Sequence, residues 1–170
     1  MPEEQKEASE DSRSYALLDI DEVAPILSEI SIFAGLSDAQ LYKLFGLLRK
    51  TSYKAGERVF SEGDQPSHIY IVQSGSMKLV VNCDDTPLEL ILFEEGQCFG
   101  ETSVIGIQPH AATAVCVEDT ELIVLSRNAL LSLYKSNLEM FSTLILNIAR
   151  EACRRLAKTD EILLHYVVGK

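Results

Sequence analysis

Gly96-Gln97-Cys98-Phe99-Gly100-Glu101-Thr102-Ser103-Val104-Ile105-Gly106-Ile107-Gln108-Pro109-His110-Ala111-Ala112-Thr113 lies between two groups of short apolar runs and shares the pattern of neither. It does not alternate, and it is too long for a turn. Gly100 allows the backbone to turn sharply or to come close to another group. Glu101 then opens a short helical turn of mostly uncharged residues. The start of such a turn presents free N–H groups and a partial positive charge, which suits an anion. A carboxylate there can also accept hydrogen bonds from sugar hydroxyls. The small Ala111 and Ala112 leave room near the backbone amides. Taken alone, the same residues also fit a turn with a helix-capping acid.

On the N-terminal side, Val59, Ile69, Ile71, Met77, Leu79, Val81, Leu88, Leu90 and Leu92 fall in alternating or β-branched runs. Turn signals separate them: Ala55-Gly56, Glu62-Gly63-Asp64, Ser74-Gly75, Asp84-Asp85 and Glu95-Gly96. On the C-terminal side, Ala112 to Val117 and Glu121 to Leu125 read as further strands. Short strands about ten residues apart point to an antiparallel sandwich or barrel.

Helical periodicity brackets the strands. Val23, Ile26, Leu27 and Ile30 share a face, with Pro25 placed near the first turn, where proline is tolerated. Ser37 caps a second helix with an apolar face of Leu41, Leu44, Phe45 and Leu48, and Ser37 to Gln40 has the form of a capping box. After the strands, Arg127 to Lys135 reads as a short helix. A longer one starts at Asn137 and carries Leu138, Phe141, Ile145, Ile148 and Ala152. That 3-4 spacing fits a homodimer seam through 138–152, and it fits equally a helix packed on its own domain. Ile162 to Val168 either prolongs the helix or folds back. The expected class is mainly β with flanking helices: an antiparallel jelly-roll β-barrel plus N-terminal and C-terminal helices. The divisions are a disordered acidic tail over 1–14, N-terminal helices over 15–50, the β-barrel over 51–126 with the 99–113 segment inside it, and C-terminal helices over 127–170.

Composition narrows the function classes. With 46% apolar and 24% charged residues, the chain can bury a core unaided. Of its net charge of -11, the stretch from Met1 to Glu22 supplies -6, with eight acidic side chains against Lys6 and Arg13. Such a chain repels phosphate backbones, so no nucleic-acid partner is expected. No apolar run approaches the roughly 20 residues of a spanning helix, and the acidic N-terminus is no secretory signal, so the expectation is a cytoplasmic protein with no membrane partner. Cys83, Cys98, Cys116 and Cys153 form no CxxC pair and lie at no zinc-ligand spacing to His68, His110 or His165. They read as buried or half-buried free thiols. His68 is expected exposed, His165 half-buried, and Met77 and Met140 in the core. Ser103 and Thr102 have no base nearby in sequence, so no catalytic residue, metal site or cofactor is expected and the chain does not read as an enzyme.

The decisive stretch resembles the phosphate-binding cassette of the cyclic-nucleotide-binding domain family, of the catabolite-activator type. That cassette has Phe-Gly-Glu, a short helix, then Pro-Arg-Ala/Ser-Ala-Thr, and Glu101 and His110 keep the separation of its Glu and Arg. Ile32-Phe33-Ala34-Gly35-Leu36-Ser37, Lys54-Ala55-Gly56-Glu57, Ser61-Glu62-Gly63-Asp64 and Tyr70-Ile71-Val72-Gln73-Ser74-Gly75 are similar to other signatures of the family. The resemblance spans about Ile30 to Leu156. It implies a ligand site of Phe99, Gly100, Glu101, Thr102, His110, Ala111, Ala112 and Thr113, with cyclic AMP or cyclic GMP as ligand. In it Glu101 would bond the ribose 2′-hydroxyl, and the His110 position would pair the cyclic phosphate.

The family's phosphate arginine is here His110, and the position that often supplies a serine hydroxyl is Ala111. Histidine lacks the permanent charge and two-pronged donor of a guanidinium. Losing a buried charged pair typically costs about 2–5 kcal/mol of affinity. Three readings stay open: weak cyclic-mononucleotide binding favoured by mild acid, a sensor for a different anion or nucleotide, and a ligand-free scaffold or dimerisation module. Family transcription factors carry a helix-turn-helix domain after the long helix. Too few residues follow Leu156 for one, so the expectation is a regulatory module acting through an unknown protein partner or by dimerising.

Overall fold

The structure is a computed structural model and describes residues 16–17, 19–27, 29–83 and 86–168. The acidic stretch expected as a tail over 1–14 lies outside them. In chain order the elements are β1 (Ala16–Leu17), α1 (Ile20–Leu27), a 3-10 turn (Ser31–Phe33), α2 (Asp38–Phe45), β2 (Leu48–Tyr53), β3 (Arg58–Phe60), β4 (His68–Ser74), β5 (Met77–Cys83), β6 (Thr86–Phe93), β7 (Cys98–Phe99), α3 (Glu101–Gly106), β8 (Thr113–Cys116), β9 (Thr120–Ser126), α4 (Arg127–Ser136) and α5 (Leu138–Val168).

Local chemistry sets the ends of these elements. Ser37 and Gln40 form the capping box read from the sequence, with the Gln40 side chain accepting from the Ser37 N–H at 2.9 Å. Ser126 caps α4 through the Ala129 N–H at 3.0 Å, and Asn137 caps α5 through the Met140 N–H at 3.1 Å. Pro25 is the sixth residue of α1, past the first turn expected for it, and the helix ends two residues later.

The strands form two antiparallel sheets, one ordered β1-β2-β9-β4-β7 and the other β3-β8-β5-β6. The expected mainly β class, with a closed jelly-roll barrel, is corrected on two counts. Among the described residues each sheet is open and its strands hydrogen-bond only within it. Three of the four edge strands have only two or three residues, too short to carry pairing from one sheet to the other. Helices also hold more residues than strands, because α5 alone runs for 31. Strand periodicity reports which face is buried, not whether a sheet closes on itself.

Two cores share the first sheet. Ile69 and Ile71 of β4 and Ile123 and Leu125 of β9 face the helices, packing with Val23, Leu27, Leu44, Leu130, Leu133, Met140, Leu144 and Ile148. The alternate residues Tyr70, Val72, Leu122 and Val124 face the second sheet, among Phe60, Met77, Phe93, Phe99, Ala114 and Cys116. Burial on both faces explains why Ile69-Tyr70-Ile71-Val72 and Leu122-Ile123-Val124-Leu125 are unbroken apolar runs. The 138–152 seam divides accordingly. Ile148 is buried on the helical core, Phe141 and Ile145 pack beside it, and Leu138 is exposed. Ile162 to Val168 prolongs α5. Among the described residues, no helix is long and apolar enough to cross a membrane.

Candidate functional site

Two backbone pairings hold the front of the cassette against the first sheet: Tyr70 with Phe99, and Ile71 with Cys98. The chain then turns at Gly100, with φ of 80°. A Cβ there would lie 3.0 Å from both the His68 carbonyl oxygen and the Tyr70 ring, so this close approach requires glycine. α3 follows, burying Glu101, Ser103 and Val104 and exposing Thr102 and Ile105. It ends on Ile107, an exposed residue in the left-handed conformation (φ 51°).

The end of the cassette is tied to the turn before β4. The His110 N–H donates to the Asp64 carbonyl (2.9 Å), and the His110 carbonyl accepts from the Gly63 N–H (2.8 Å). The Thr113 hydroxyl accepts from the Glu62 N–H at 3.0 Å. Ala112 is buried and Ala111 exposed. Gly100, Glu101, Ala112 and Thr113 thus belong to one segment pinned at both ends.

Glu101 is 0% exposed, and among the described residues its Oε2 has no hydrogen-bond partner. Its charge partner is the guanidinium of Arg155, which arrives from α5. Arg155 also reaches toward the Cys98 carbonyl at 3.5 Å and lies 5.7 Å from the centre of the Phe93 ring. Burial lowers its pKa, opposed by Cys98. Burial likewise pushes the Cys98 thiol up to about 11, so it is not a reactive cysteine.

His110 is 4% exposed and stacks on Phe60, with ring centres 3.6 Å apart and planes 9° apart. Desolvation lowers its pKa from 6.5, and the neighbouring Asp64 partly opposes this. The imidazole is therefore mostly neutral at neutral pH. Tyr70, Phe99 and Phe93 continue the aromatic cluster behind it.

Arg155 is a residue of the site that the sequence does not single out. The signal was an arginine inside the amphipathic part of a long helix, but its partner is 54 positions away and no local pattern links them. The stacking of Phe60 on His110 was missed for the same reason. Of the residues weighed and set aside, Met77 and Met140 are fully buried as expected, while His68 is half-buried and His165 and Cys153 are exposed.

The family profile described as "Cyclic nucleotide-binding domain" matches residues 50–137. The chain belongs to that family. A similar curated relative of this cyclic nucleotide-binding domain is "Cyclic AMP receptor protein" of Thermus thermophilus, 30% identical over 76% of the chain, of whose length the chain spans 58%. The N-terminal domain of a transcriptional regulator from Streptomyces coelicolor A3(2) superposes with a TM-score of 0.68 at 26% identity, covering 82% of this chain and 95% of that one. A cyclic nucleotide-binding domain from Methylobacillus flagellatus has the same fold, with a TM-score of 0.75 at 20% identity over 85% of this chain and 82% of that one. The domain is of a regulatory, non-catalytic kind.

Proposed function

We propose that this domain is a cytoplasmic sensor that binds a cyclic mononucleotide, cyclic AMP or cyclic GMP, weakly at neutral pH and more tightly in mild acid. The ligand is lined by Phe99, Gly100, Glu101, Thr102, His110, Ala111, Ala112 and Thr113. The observation that carries the reading is Glu101: a fully buried carboxylate whose Oε1 meets Arg155 and whose Oε2 has no hydrogen-bond partner among the described residues keeps an acceptor site for the ribose 2′-hydroxyl. His110 supplies the pH dependence, because a cyclic phosphate favours the imidazolium while burial favours the neutral ring. The buried thiols of Cys98 and Cys116 suit a reducing compartment. Glu101→Ala is the direct test: calorimetric binding of both nucleotides is lost in the variant, and unchanged binding refutes the site.

A second copy of the chain is the natural partner of α5. Leu146, Ala149, Cys153, Leu156, Asp160, Leu163 and Val167 repeat at 3-4 spacing, and all are exposed. That is a coiled-coil stripe on the side opposite the residues that pack on the helical core. In this reading the dimer forms through the stripe rather than through Phe141, Ile145 and Ile148. Ligand contact at the cassette shifts the hinge at Arg127 to Lys135 and re-aims the paired helices.

A further inference from the structure

We propose that Arg155 is the cation of this site: the anionic group of the ligand is read by a guanidinium on the C-terminal helix, in place of the one missing from the cassette. The proposal rests on the reading above that a nucleotide occupies the cassette. Three observations carry it.

The cassette's own candidate, His110, is a weak cation at neutral pH and lacks a two-pronged donor. The His110 ring lies flat on Phe60, nine-tenths or more buried, and its backbone is bonded on both sides to the Gly63–Asp64 turn. The charged group facing it is Asp64, an anion, which does not attract a phosphate.

A guanidinium nonetheless enters the site from α5. Arg155 is paired with Glu101, the residue assigned to the ribose, and its side chain remains 25% exposed. Among the described residues, the five-donor fork has one ion pair and one long contact to the Cys98 carbonyl, so donors remain for a second anion. A planar fork can bridge two anions on adjacent edges, which the ammonium of lysine does less well.

The position of Arg155 along α5 is also informative. Up to Glu151 the helix is fastened to the N-terminal turn: the Asn147 side-chain amide donates to the Ile32 and Ala34 carbonyls (3.1 and 2.7 Å), and the Ser31 hydroxyl donates to Glu151 (3.2 Å). From Leu156 to His165 every residue is exposed. Arg155 is the last side chain of the helix to reach the body of the domain before this projecting part. An anion bound there touches the helix directly, with no relay through the sheets.

The test measures calorimetric affinity for cyclic AMP and for adenosine, which has the same base and ribose but no anion, in the wild type, Arg155→Met and Arg155→Lys. Arg155→Met also removes the charge partner of Glu101, so both ligands are expected to weaken, cyclic AMP at least tenfold more than adenosine. Arg155→Lys keeps a charge beside Glu101 and carries the test if Arg155→Met does not fold. It is expected to weaken cyclic AMP several-fold and leave adenosine unchanged. Wild-type binding of cyclic AMP with none of adenosine, together with loss of cyclic AMP in the folded variants, supports the proposal equally. If cyclic AMP binds the folded variants as tightly as the wild type, or if both ligands weaken equally, Arg155 reads no anion and the proposal falls while the sensor reading stands. If neither cyclic nucleotide binds the wild type, both fall together.

Discussion

At the scale of single residues, the cassette is a set of backbone constraints with two charges added. Gly100 and Gly96 have the same left-handed φ of 80°, but a Cβ at Gly96 meets nothing within 4 Å, whereas at Gly100 it meets the His68 carbonyl and the Tyr70 ring. Gly96→Ala is therefore expected to cost about 1 kcal/mol, and Gly100→Ala at least about 2 kcal/mol, in urea unfolding. Equal costs would show that the cassette can move away from β4. His110→Arg puts a two-pronged cation at the position where the resemblance implies the phosphate-pairing residue, and cyclic-nucleotide affinity is expected to rise at least tenfold in a titration. An unchanged affinity would mean that Phe60 and Asp64 do not allow a guanidinium to reach the ligand. The glycine turns and the short helix opened by Glu101 were legible in the sequence because they depend on neighbouring backbone. The burial of His110 was not, because Phe60 comes to it from 50 residues upstream through the sandwich interior.

At the scale of elements, α5 has two differently used faces. Met140, Leu144 and Ile148 are spent on the domain's own core, and the exposed stripe from Leu146 to Val167 is not. The sequence shows both apolar series but not which one the domain consumes, since each has helical spacing. The stripe places Cys153 and Asp160 at core positions of a coiled coil. In a parallel, in-register dimer Cys153 meets its own mate, so mild oxidation is expected to give a reducible dimer that Cys153→Ser abolishes. A monomer under oxidising conditions, at concentrations where sedimentation shows a dimer, would contradict the parallel register. The strands were legible element by element from their alternation and glycine turns. Their assembly into two open sheets was not, because pairing partners such as β4 and β9 are separated by some fifty residues and periodicity carries no information on partner or closure.

At the scale of the whole molecule, two layers of strand and one of helix place a neutral histidine and a buried acid–arginine pair at one cassette. Because folding lowers the His110 pKa, its neutral form contributes stability above the unfolded value of 6.5. That contribution is lost as pH falls through 6.5 toward the folded value. An anion bound beside it reverses the preference, so ligand binding and acid both favour the imidazolium and each promotes the other. Direct calorimetric titration with cyclic AMP and cyclic GMP from pH 8 to pH 5.5 measures this coupling most directly. Affinity is expected to rise with acidification, approaching tenfold per pH unit while His110 remains neutral in the free protein. Binding that is absent throughout, or equally tight at pH 8 and pH 5.5, would contradict the account.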